Sequence, residues 1–479
     1  MRRRLLPSLL VFIAIQLGCA AVASASVQFS SDSYQVSETS GQAIIEVTRT
    51  GPPLLPTAVR YGTHRLDGVD GVDFDTVSGI LNFAPGQTSA TFSIPIIQHN
   101  FVGPPAQVAV FLYGSWPDDL GSPNNATLTI LHDAPLEARD PANPLMLNPA
   151  PVNGNPLDGA RFYVNRWGDP AGQAGALLQN TNPSWANALS VIARQPWTFR
   201  FGAWDGPDPS QHAFGLLEKY FLADPGAVPM LATYRIVHGQ CARGGVADTP
   251  AEVAAYEKWI QGLAYGIGNF RAVLFLEMDS IITAPCLKPH ALAVRLAELR
   301  YAITTLERDP HLVVYLDGGA ADAGKWENTA RLLKGAGVYQ AQGFFLNSTH
   351  FDWTTREIAF GQRIAQALGG VHFVVNTGEN GQGPLVPPDP GKNGAEVLCN
   401  PPGRGLGPLP TSNTGFQWVD AFAWTSNPGE SGGRCNGAPA TDYWPAYAVG
   451  LVEHASFTVN GPGERFLRPA QTVRRRAAR

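Results

Sequence analysis

The sequence is poor in cysteine and in long hydrophobic runs. Only five cysteines occur in 479 residues, and no pair has the C-x-x-C spacing typical of a zinc site. After residue 25, no apolar stretch is long enough for a transmembrane helix. The net charge of -5 is small and gives no reason to expect a nucleic-acid partner. We therefore expect no metal, no other cofactor and no membrane or nucleic-acid partner, and we expect a monomer.

The N-terminus has the pattern of a signal peptide. Three arginines at 2–4 precede an apolar run at 5–17, and Ala23-Ser24-Ala25 is a small-residue cleavage site. The sequence thus predicts a signal peptide over 1–25 and a secreted protein, with the periplasm as the alternative location. Four cysteines remain after cleavage, an even number that favours two disulfides in an exported protein. Three pairings are open among Cys241, Cys286, Cys399 and Cys435.

Residues 26–134 are predicted to be all-β. Short alternating segments separated by turn residues, such as "IIEVTR" (44–49) and "QVAVFLY" (107–113), are typical of a β-sandwich. The pieces "VQFSSDSYQVSETSGQAIIEVTRTG", "GVDFDTVSGILNFAPGQTSATFSIPI" and "ATLTILHD" resemble a Calx-beta domain. That resemblance implies calcium binding as a lesser alternative, since the usual acidic loop reads "QHNFVGPP" and the remaining candidate ligands, Glu38, Asp70, Asp73 and Asp133, form a thin cluster. A spacer or adhesion module is the other interpretation.

The remainder of the chain is predicted to be an α/β domain. A Pro-rich linker at 135–145 leads into a region, 146–460, in which apolar strand cores alternate with amphipathic helices, and a basic tail follows at 461–479. One helix begins at a capping box, Thr249 to Glu252, with Pro250 at its first position. Seven or eight alternating strands indicate a parallel, TIM-like barrel, open or closed. The predicted strands are 161–164, 199–204, 230–234, 272–277, 312–317, 343–347, 372–376 and 421–424.

Polar and aromatic residues stand at the carboxyl ends of these strands, where the active sites of α/β barrels lie. Acids and amides hydrogen-bond sugar hydroxyls, and tryptophan faces stack on pyranose rings, so this set predicts a sugar-binding cleft. Its members are Asn165, Trp204, Tyr234, Asp279, Asp317, Asn347, Asn376 and Trp424.

Several motifs resemble glycoside hydrolase family 6, the cellobiohydrolases and endoglucanases that cleave β-1,4-glucan with inversion. They are "YRIVHGQCARGG" (234–245), "LFLEMDSI" (274–281), "VVYLDGG" (313–319), "LCNPPGRGLG" (398–407) and "DAFAWTSNPGESGGRCNG" (420–437). The resemblance implies that Asp279 is the general acid and that Asp317 orients sugar or water. It also implies that Trp326 and Glu430 bind substrate, and that the disulfides are Cys241–Cys286 and Cys399–Cys435. Glu277, two residues before Asp279, is predicted to be a structural partner, with an electrostatic effect on Asp279 as the alternative.

The sequence departs from the family pattern at three positions that the resemblance assigns to catalysis. Gln240 replaces an Asp, Ser426 replaces a Lys, and Gly432 replaces the Asp that is the usual candidate for the base. Inversion needs a base to activate water, and losing a general base typically lowers the rate by ~10²–10⁴. Another residue could relay the water; Glu379, Glu430 and Asp317 are the options.

Three functions follow from this pattern. The first is a secreted inverting hydrolase of β-1,4-glucan or a related polysaccharide, weakened by the lost partners. The second is a carbohydrate-binding protein that no longer cuts. The third is an adhesion protein in which the Calx-beta domain carries the function.

Overall fold

The structure is a computed structural model that describes residues 25–52, 55–98, 103–133, 154–165, 168–236, 245–309, 311–385 and 397–456. The chain divides into two compact units, Met1–Asn100 with Pro105–Ala134, and Phe101–Pro104 with Pro135–Arg479. The predicted linker and basic tail, and residues 1–24 of the predicted signal peptide, lie outside the described residues.

The first unit is a β-sandwich of two mixed sheets. One sheet has the order β6-β3-β1-β8 and the other the order β2-β9-β7-β4-β5. The strands are β1 (Ser26–Phe29), β2 (Ser33–Ser37), β3 (Gln42–Thr50), β4 (Thr57–Arg65), β5 (Ser78–Phe83), β6 (Ser89–Pro95), β7 (Ala106–Trp116), β8 (Asp119–Leu120) and β9 (Asn125–Leu131).

Alternation of side chains builds the core of this sandwich. Along β3, Ala43, Ile45 and Val47 are buried while Ile44 is exposed, because successive residues of a strand point to opposite faces. The inward-facing residues of both sheets form one apolar cluster that includes Val108, Val110 and others. The predicted all-β fold is confirmed, although the short strands β1, β2 and β8 were not predicted.

The second unit contains seven parallel strands in chain order, β10 to β16. They are β10 (Thr198–Gly202), β11 (Met230–Tyr234), β12 (Ala272–Leu276), β13 (Leu312–Asp317), β14 (Gly343–Leu346), β15 (His372–Asn376) and β16 (Val419–Ala423). The helices are α1 (Pro170–Leu178), α2 (Pro183–Ala193), α3 (Ser210–Ala223), α4 (Pro250–Ile267), α5 (Pro289–Leu306), α6 (Trp326–Gly335), α7 (Thr354–Ala367) and α8 (Pro445–Glu453).

Each central strand of this sheet is buried on both faces. All five residues of β12 are buried, as expected for a parallel strand covered by helices on one side and enclosed by the curled sheet on the other. Leu274 and Leu276 join the cluster beneath the helices, whereas Val273 and Phe275 join a separate interior cluster. The predicted barrel-like α/β fold is confirmed.

A side chain bridges the two ends of the curled sheet. Asn427 accepts a hydrogen bond from the backbone N–H of Thr198 on β10 at 2.9 Å and donates one to its carbonyl oxygen at 2.9 Å. The Thr198 hydroxyl donates to the carbonyl of Trp424, just after β16, at 2.6 Å. These contacts satisfy backbone groups that an edge strand would leave open, and they hold the "NPGES" loop at the rim of the barrel.

Two local predictions had different outcomes. The capping box of α4 is confirmed, because Thr249 accepts from the Glu252 N–H and Glu252 accepts from the Thr249 N–H. The predicted strand at 161–164 was wrong: the segment makes only an isolated bridge between Phe162 and Val228. Two backbone hydrogen bonds hold the segment to Val228, from the Tyr163 N–H at 2.9 Å and to the Arg161 carbonyl at 2.8 Å, and the ring of Tyr163 stacks on Tyr220 at 4.2 Å between centroids. None of the helices in the described ranges combines the length and hydrophobicity required to cross a membrane.

Candidate active site

A cleft of about 810 Å³ opens at the carboxyl ends of the parallel strands. Five of the residues predicted from the sequence line it, and so do the two positions where the family's Lys and Asp are replaced. The five are Trp204, Tyr234, Asp279, Asn376 and Glu430, and the replaced positions are Ser426 and Gly432. Strand ends from β10 to β16 thus converge on one polar site, as the parallel topology requires.

Asp279 lies on a tightly held loop that follows β12. Its backbone has φ +68°, and Glu277 has φ +52°, both in the left-handed region that side chains rarely adopt. The strand has already ended at Leu276, so the strand alternation that would place Glu277 and Asp279 on one side no longer applies. The Met278 N–H donates to the Thr233 carbonyl at 3.0 Å and the Ser280 N–H to the Glu277 carbonyl at 3.0 Å. Such strain persists only where surrounding contacts fix the loop.

The carboxyl group of Asp279 faces the cleft. Its Oδ1 accepts a hydrogen bond from the Thr349 hydroxyl at 2.7 Å. Burial raises the pKa of Asp279 above its ordinary value, and the hydrogen bond from Thr349 and the charges of His350 and Arg200 oppose that rise. A carboxyl group with a raised pKa can hold a proton at higher pH than a solvated aspartate, which is what a general acid requires.

Glu277 is a structural residue, as predicted. It is buried, and its Oε2 accepts hydrogen bonds from the backbone N–H groups of Arg235 and Ile236 at 2.9 and 3.1 Å. Its own N–H donates to the Thr233 hydroxyl at 2.8 Å. These contacts tie the loop after β12 to the end of β11.

Asp317 has a different place from the one expected. It is 1% exposed and does not line the cleft. Its Oδ2 accepts from the backbone N–H groups of Ile281 and Ile282 at 2.7 and 3.1 Å, and its Oδ1 accepts from Gly319 at 3.0 Å. Burial, with the nearby charge of Asp279, raises the pKa of Asp317 to about 7. We conclude that this carboxyl group holds the loop that carries Asp279 and does not contact sugar.

Two further carboxyl groups line the cleft. Glu430 forms an ion pair with Arg200 at 2.9 Å and accepts a hydrogen bond from Asn427 at 3.0 Å. Glu379 accepts from the Gly429 N–H at 3.1 Å, and burial raises the pKa of Glu379 to about 8. At neutral pH, Glu379 is therefore mostly protonated, whereas Arg200 compensates the negative charge of Glu430.

The replaced positions leave the cleft without groups that the family pattern contains. Gly432 carries no side chain, and its N–H donates to Asn400 Oδ1 at 2.8 Å. The Ser426 hydroxyl donates to the carbonyl of Ser348. Gln240 lies outside the described residues. The described cleft thus has no carboxylate at position 432 and no ammonium group at position 426.

The other predicted substrate-binding residues divide into two groups. Trp204 is 62% exposed, and its indole ring covers Gly202 so closely that a Cβ there would lie 2.5 Å from it. Tyr234 and Asn376 also line the cleft. Four residues do not. Asn347 and Trp424 are at most 1% exposed, Trp326 packs against the core beneath the helices, and Asn165 accepts a hydrogen bond from the Gly168 N–H at 3.1 Å. Direct sugar binding by those four is not supported by their positions.

Asn347 has a structural task instead. Its side-chain amide donates to the carbonyl oxygens of Asp352 and Asn376 at 3.1 and 3.2 Å, and Asn376 donates back to the Asn347 carbonyl at 2.9 Å. Asn376 Oδ1 in turn accepts from the Thr425 N–H at 3.0 Å. This amide network fixes the ends of β14, β15 and β16 relative to one another.

Among the cleft residues that sequence reasoning missed, Arg200, Thr349 and His350 act on the charge of Asp279. Arg200 is a lone cation within the apolar segment "FRFGAW", which was a signal that it has a specific partner. Thr349 and His350 belong to "NSTH", the polar run after β14, of which only the first residue was considered.

Disulfide Cys399–Cys435 is present, as the resemblance implied, with a Cα–Cα distance of 6.0 Å. Cys399 lines the cleft together with Leu398 and Asn400, so this cross-link braces the cleft wall. The other implied pair, Cys241–Cys286, includes Cys241, which lies outside the described residues.

The four acids considered as calcium ligands in the first unit make separate contacts. Asp73 accepts from the Val69 N–H at 2.6 Å and pairs with His132 at 3.2 Å, and Asp70 accepts from the Thr76 N–H at 2.6 Å. Asp133 accepts from the Ser37 hydroxyl, and Glu38 is buried. In the described residues, these four form no group of three ligating side chains. Calcium binding by this unit stays a prediction.

Comparison with known proteins agrees with the geometry of the site. The family Glycosyl hydrolases family 6 matches residues 157–455, and the Calx-beta domain family matches residues 22–134. Endoglucanase A of Cellulomonas fimi is 31% identical over 318 residues, and the alignment covers 64% of this chain and 62% of that protein. Endoglucanase 1 of Streptomyces halstedii is 32% identical over 286 residues, covering 57% of this chain and 83% of that protein.

A solved structure of the endoglucanase Cel6 from Mycobacterium tuberculosis, in complex with methyl-cellobiosyl-4-deoxy-4-thio-β-D-cellobioside, is 33% identical to this chain. It has a TM-score of 0.56 and covers 63% of this chain and 99% of its own. The catalytic core of the cellobiohydrolase Cel6A from Chaetomium thermophilum, at 22% identity and a TM-score of 0.52, shares the fold. The chain belongs to the Glycosyl hydrolases family 6, and its N-terminal region matches the Calx-beta domain family.

Proposed function

We propose that the second unit hydrolyses β-1,4-glucan with inversion and that Asp279 is its general acid. The observation that carries the proposal is the placement of Asp279: it lies in the cleft, on a fixed loop, with a pKa raised by burial. Relatives named as endoglucanases support the substrate class. Because the alignment covers only 62% of Endoglucanase A, the activity of the whole chain is part of the proposal.

In this proposal, Asp279 donates a proton to the glycosidic oxygen. A glycosidic oxygen is a poor leaving group until it is protonated, and an inverting enzyme supplies that proton from one carboxylic acid. The Thr349 hydroxyl holds the Asp279 carboxyl in one orientation. Tyr234 and the exposed face of Trp204 are available to bind the sugar rings.

Activation of water is assigned to Glu430. Of the three relay candidates, Asp317 is enclosed by backbone donors and Glu379 is mostly protonated at neutral pH. Glu430 lines the cleft and is held by Arg200 and Asn427. Its charge is shared with a guanidinium, which weakens it as a base. The proposal therefore includes slow turnover compared with a family member that has the usual Asp.

A cleft that binds sugar without cutting it is the second candidate. The observation that favours it is Gly432, which leaves the position of the usual base without a carboxylate. Both candidates share the expectation of a polysaccharide partner. Secretion through residues 1–25 is proposed from the sequence pattern alone.

The test is incubation of the purified full-length chain with cellohexaose, followed by proton NMR of the first products. Inverting hydrolysis gives α-anomers at the new reducing ends. β-Anomers would contradict the inverting mechanism. Absence of any cleavage, together with binding heat in calorimetry, would support the binding protein instead.

Gly432→Asp tests whether a missing base limits the rate. A Cβ at position 432 would lie 3.2 Å from the Cys399 sulfur and 3.5 Å from the Cys399 Cα, so an added side chain requires only a small local shift. We expect a rise in kcat of at least tenfold, within the ~10²–10⁴ range of general-base catalysis. Gly432→Ala is the control for crowding. Equal kcat values for the Asp and Ala variants would mean that the base is not limiting.

A further inference from the structure

Three acidic side chains lie close together beside the cleft, and the proposed reaction does not use them. They are Asp322, in the loop after β13, Asp352, in the loop after β14, and Glu357, in the first turn of α7. One carboxylate oxygen of each lies within 4.8 Å of the others. Asp322 is exposed, whereas Asp352 and Glu357 are both 0% exposed.

Each of the two buried carboxyl groups has one oxygen with partners. Asp352 Oδ1 accepts from the Trp353 N–H at 2.8 Å and pairs with Arg356 at 3.0 Å. Glu357 Oε1 accepts from the Ala321 N–H at 2.8 Å. The exposed acid, Asp322, pairs through Oδ1 with His350 at 2.8 Å. The cluster therefore has three acids against one arginine, which is 53% exposed, and one histidine.

The second oxygens of the buried acids have no partner within the described part of the chain. Asp352 Oδ2 and Glu357 Oε2 are both closed to solvent and make no hydrogen bond there. A buried polar oxygen without a partner is strongly unfavourable, and a buried negative charge more so. A shared proton, a buried water or a bound cation would satisfy these oxygens.

The dimensions of the cluster are compatible with a calcium ion. Calcium binds oxygen ligands at about 2.3–2.6 Å, so two of its ligands can lie as far apart as about 4.6–5.2 Å. The three carboxylate oxygens lie within 4.8 Å of one another, inside that span. All three candidate ligands are carboxylates, which suit a hard cation, and the exposed Asp322 leaves room for water to complete the shell.

We propose that Asp322, Asp352 and Glu357 bind a calcium ion beside the cleft. The ion would join the loop after β13 to the loop after β14 and to the start of α7. It would neutralise the repulsion that, together with burial, raises the pKa of Asp352 and of Glu357.

The site is connected to the proposed general acid through one short segment. His350, the partner of Asp322, lines the cleft, and its neighbour Thr349 donates to Asp279. A cation that fixes Asp322 and Asp352 would also fix the loop that carries Thr349. This effect on Asp279 rests on the proposed function, whereas the binding of calcium does not.

The test is calcium binding by the full-length chain after treatment with EDTA, measured by equilibrium dialysis and titration calorimetry. Glu357→Gln removes a ligand at nearly constant volume. Glu327→Gln, at an exposed position of α6, is the matched control. We expect the Glu357→Gln variant to bind one calcium ion fewer per chain than the wild type, and the Glu327→Gln variant to bind the same number as the wild type. Calcium held by the first unit would persist in both variants.

Terbium luminescence provides a second measurement that does not depend on activity. Terbium takes calcium sites, and Trp353, next to Asp352, is placed to sensitise its emission. We expect terbium emission from the wild type. Excess calcium should displace the terbium and remove this emission, whereas the same concentration of magnesium should not. The Asp352→Asn variant should show no such emission. Equal calcium stoichiometry in the wild type and in Glu357→Gln would overturn the proposal. So would a wild type that binds no calcium, which would leave a shared proton or a buried water to satisfy the buried oxygens. Hydrolysis of glucan has no bearing on either result.

Discussion

Replacement of Asp279 by asparagine isolates the contribution of one proton. The change is nearly isosteric, and the amide oxygen of asparagine can still accept the hydrogen bond that Thr349 donates at 2.7 Å. The loop geometry is fixed by backbone contacts and by Asp317, none of which involves the Asp279 carboxyl. What is lost is the ability to protonate the leaving oxygen.

The expected effect on rate is large. A general acid typically contributes ~10²–10⁴, which corresponds to about 3–5 kcal/mol of transition-state stabilisation. We expect kcat/KM for cellohexaose to fall by that factor while binding of the sugar changes little. On an aryl cellobioside with an acidic phenol as leaving group, little protonation is needed, so the loss should be much smaller.

The Asp279→Asn change should stabilise the fold even though it lowers the rate. Because the folded-state pKa of Asp279 is raised, its ionisation destabilises the fold as the pH rises through that pKa. Asparagine does not ionise, so the variant should gain stability relative to the wild type as the pH rises above about 3.9, the ordinary pKa of aspartate, until it passes the raised pKa of Asp279. Differential scanning calorimetry measures this trend.

The exposed Asp158 provides a matched control, since Asp158→Asn changes the same groups outside the cleft. A loss smaller than tenfold in Asp279→Asn, or equal losses on both substrates, would refute the assignment of Asp279 as general acid.

Two more variants test the surroundings of the acid. Thr349→Val removes a hydrogen bond that stabilises ionised Asp279, so the pKa of Asp279 should rise. The alkaline limb of the pH–kcat/KM profile should then move to higher pH. A limb that stays in place or moves to lower pH would contradict the role of this hydrogen bond. Cys399→Ser opens a disulfide that spans 36 residues, which should lower the free energy of unfolding by about 3–4 kcal/mol and weaken sugar binding, as calorimetry would show. Cys435→Ser should behave in the same way, and a difference between the two would mean that a free thiol, rather than the lost cross-link, causes the effect.

Most of the second unit's sheet was predictable because its strands are buried on both faces. Such strands appear in the sequence as short continuous apolar runs with clear ends, and 230–234, 312–317 and 372–376 were predicted to the residue. The segment 161–164 is also mostly apolar but forms only an isolated bridge with Val228, and no local pattern distinguishes a single bridge from the pairing of a whole strand. The first unit's strand β8, only two residues long, was likewise beyond any periodicity argument.

The candidate site was predictable only as far as the strand ends were. A residue that directly ends a strand can point into the cleft or be buried beneath it, and the sequence does not distinguish the two. Tyr234 and Asn376 line the cleft, whereas Asp317 holds a neighbouring loop. Asp279 and Thr349 lie three residues beyond their strands, where backbone conformation, not strand alternation, sets their direction. The strand-end pattern included Asp279 among eight residues, but only the family resemblance singled it out as the general acid, and no motif pointed to Thr349.

The pattern of losses around Asp279 has a physical order. What remains is the machinery that positions the acid: Glu277 and Asp317 hold its loop, and Thr349 holds its carboxyl. What is absent is the carboxylate and the ammonium group of the family pattern, which Gly432 and Ser426 replace. A protein that only bound sugar would have no need of a strained loop with φ +68° at a carboxyl group whose pKa is raised by burial. The retained strain is therefore an argument for retained chemistry. Because the general acid is still in place, restoring a carboxylate at position 432 should restore activity more readily than the same change in a protein that had lost its acid.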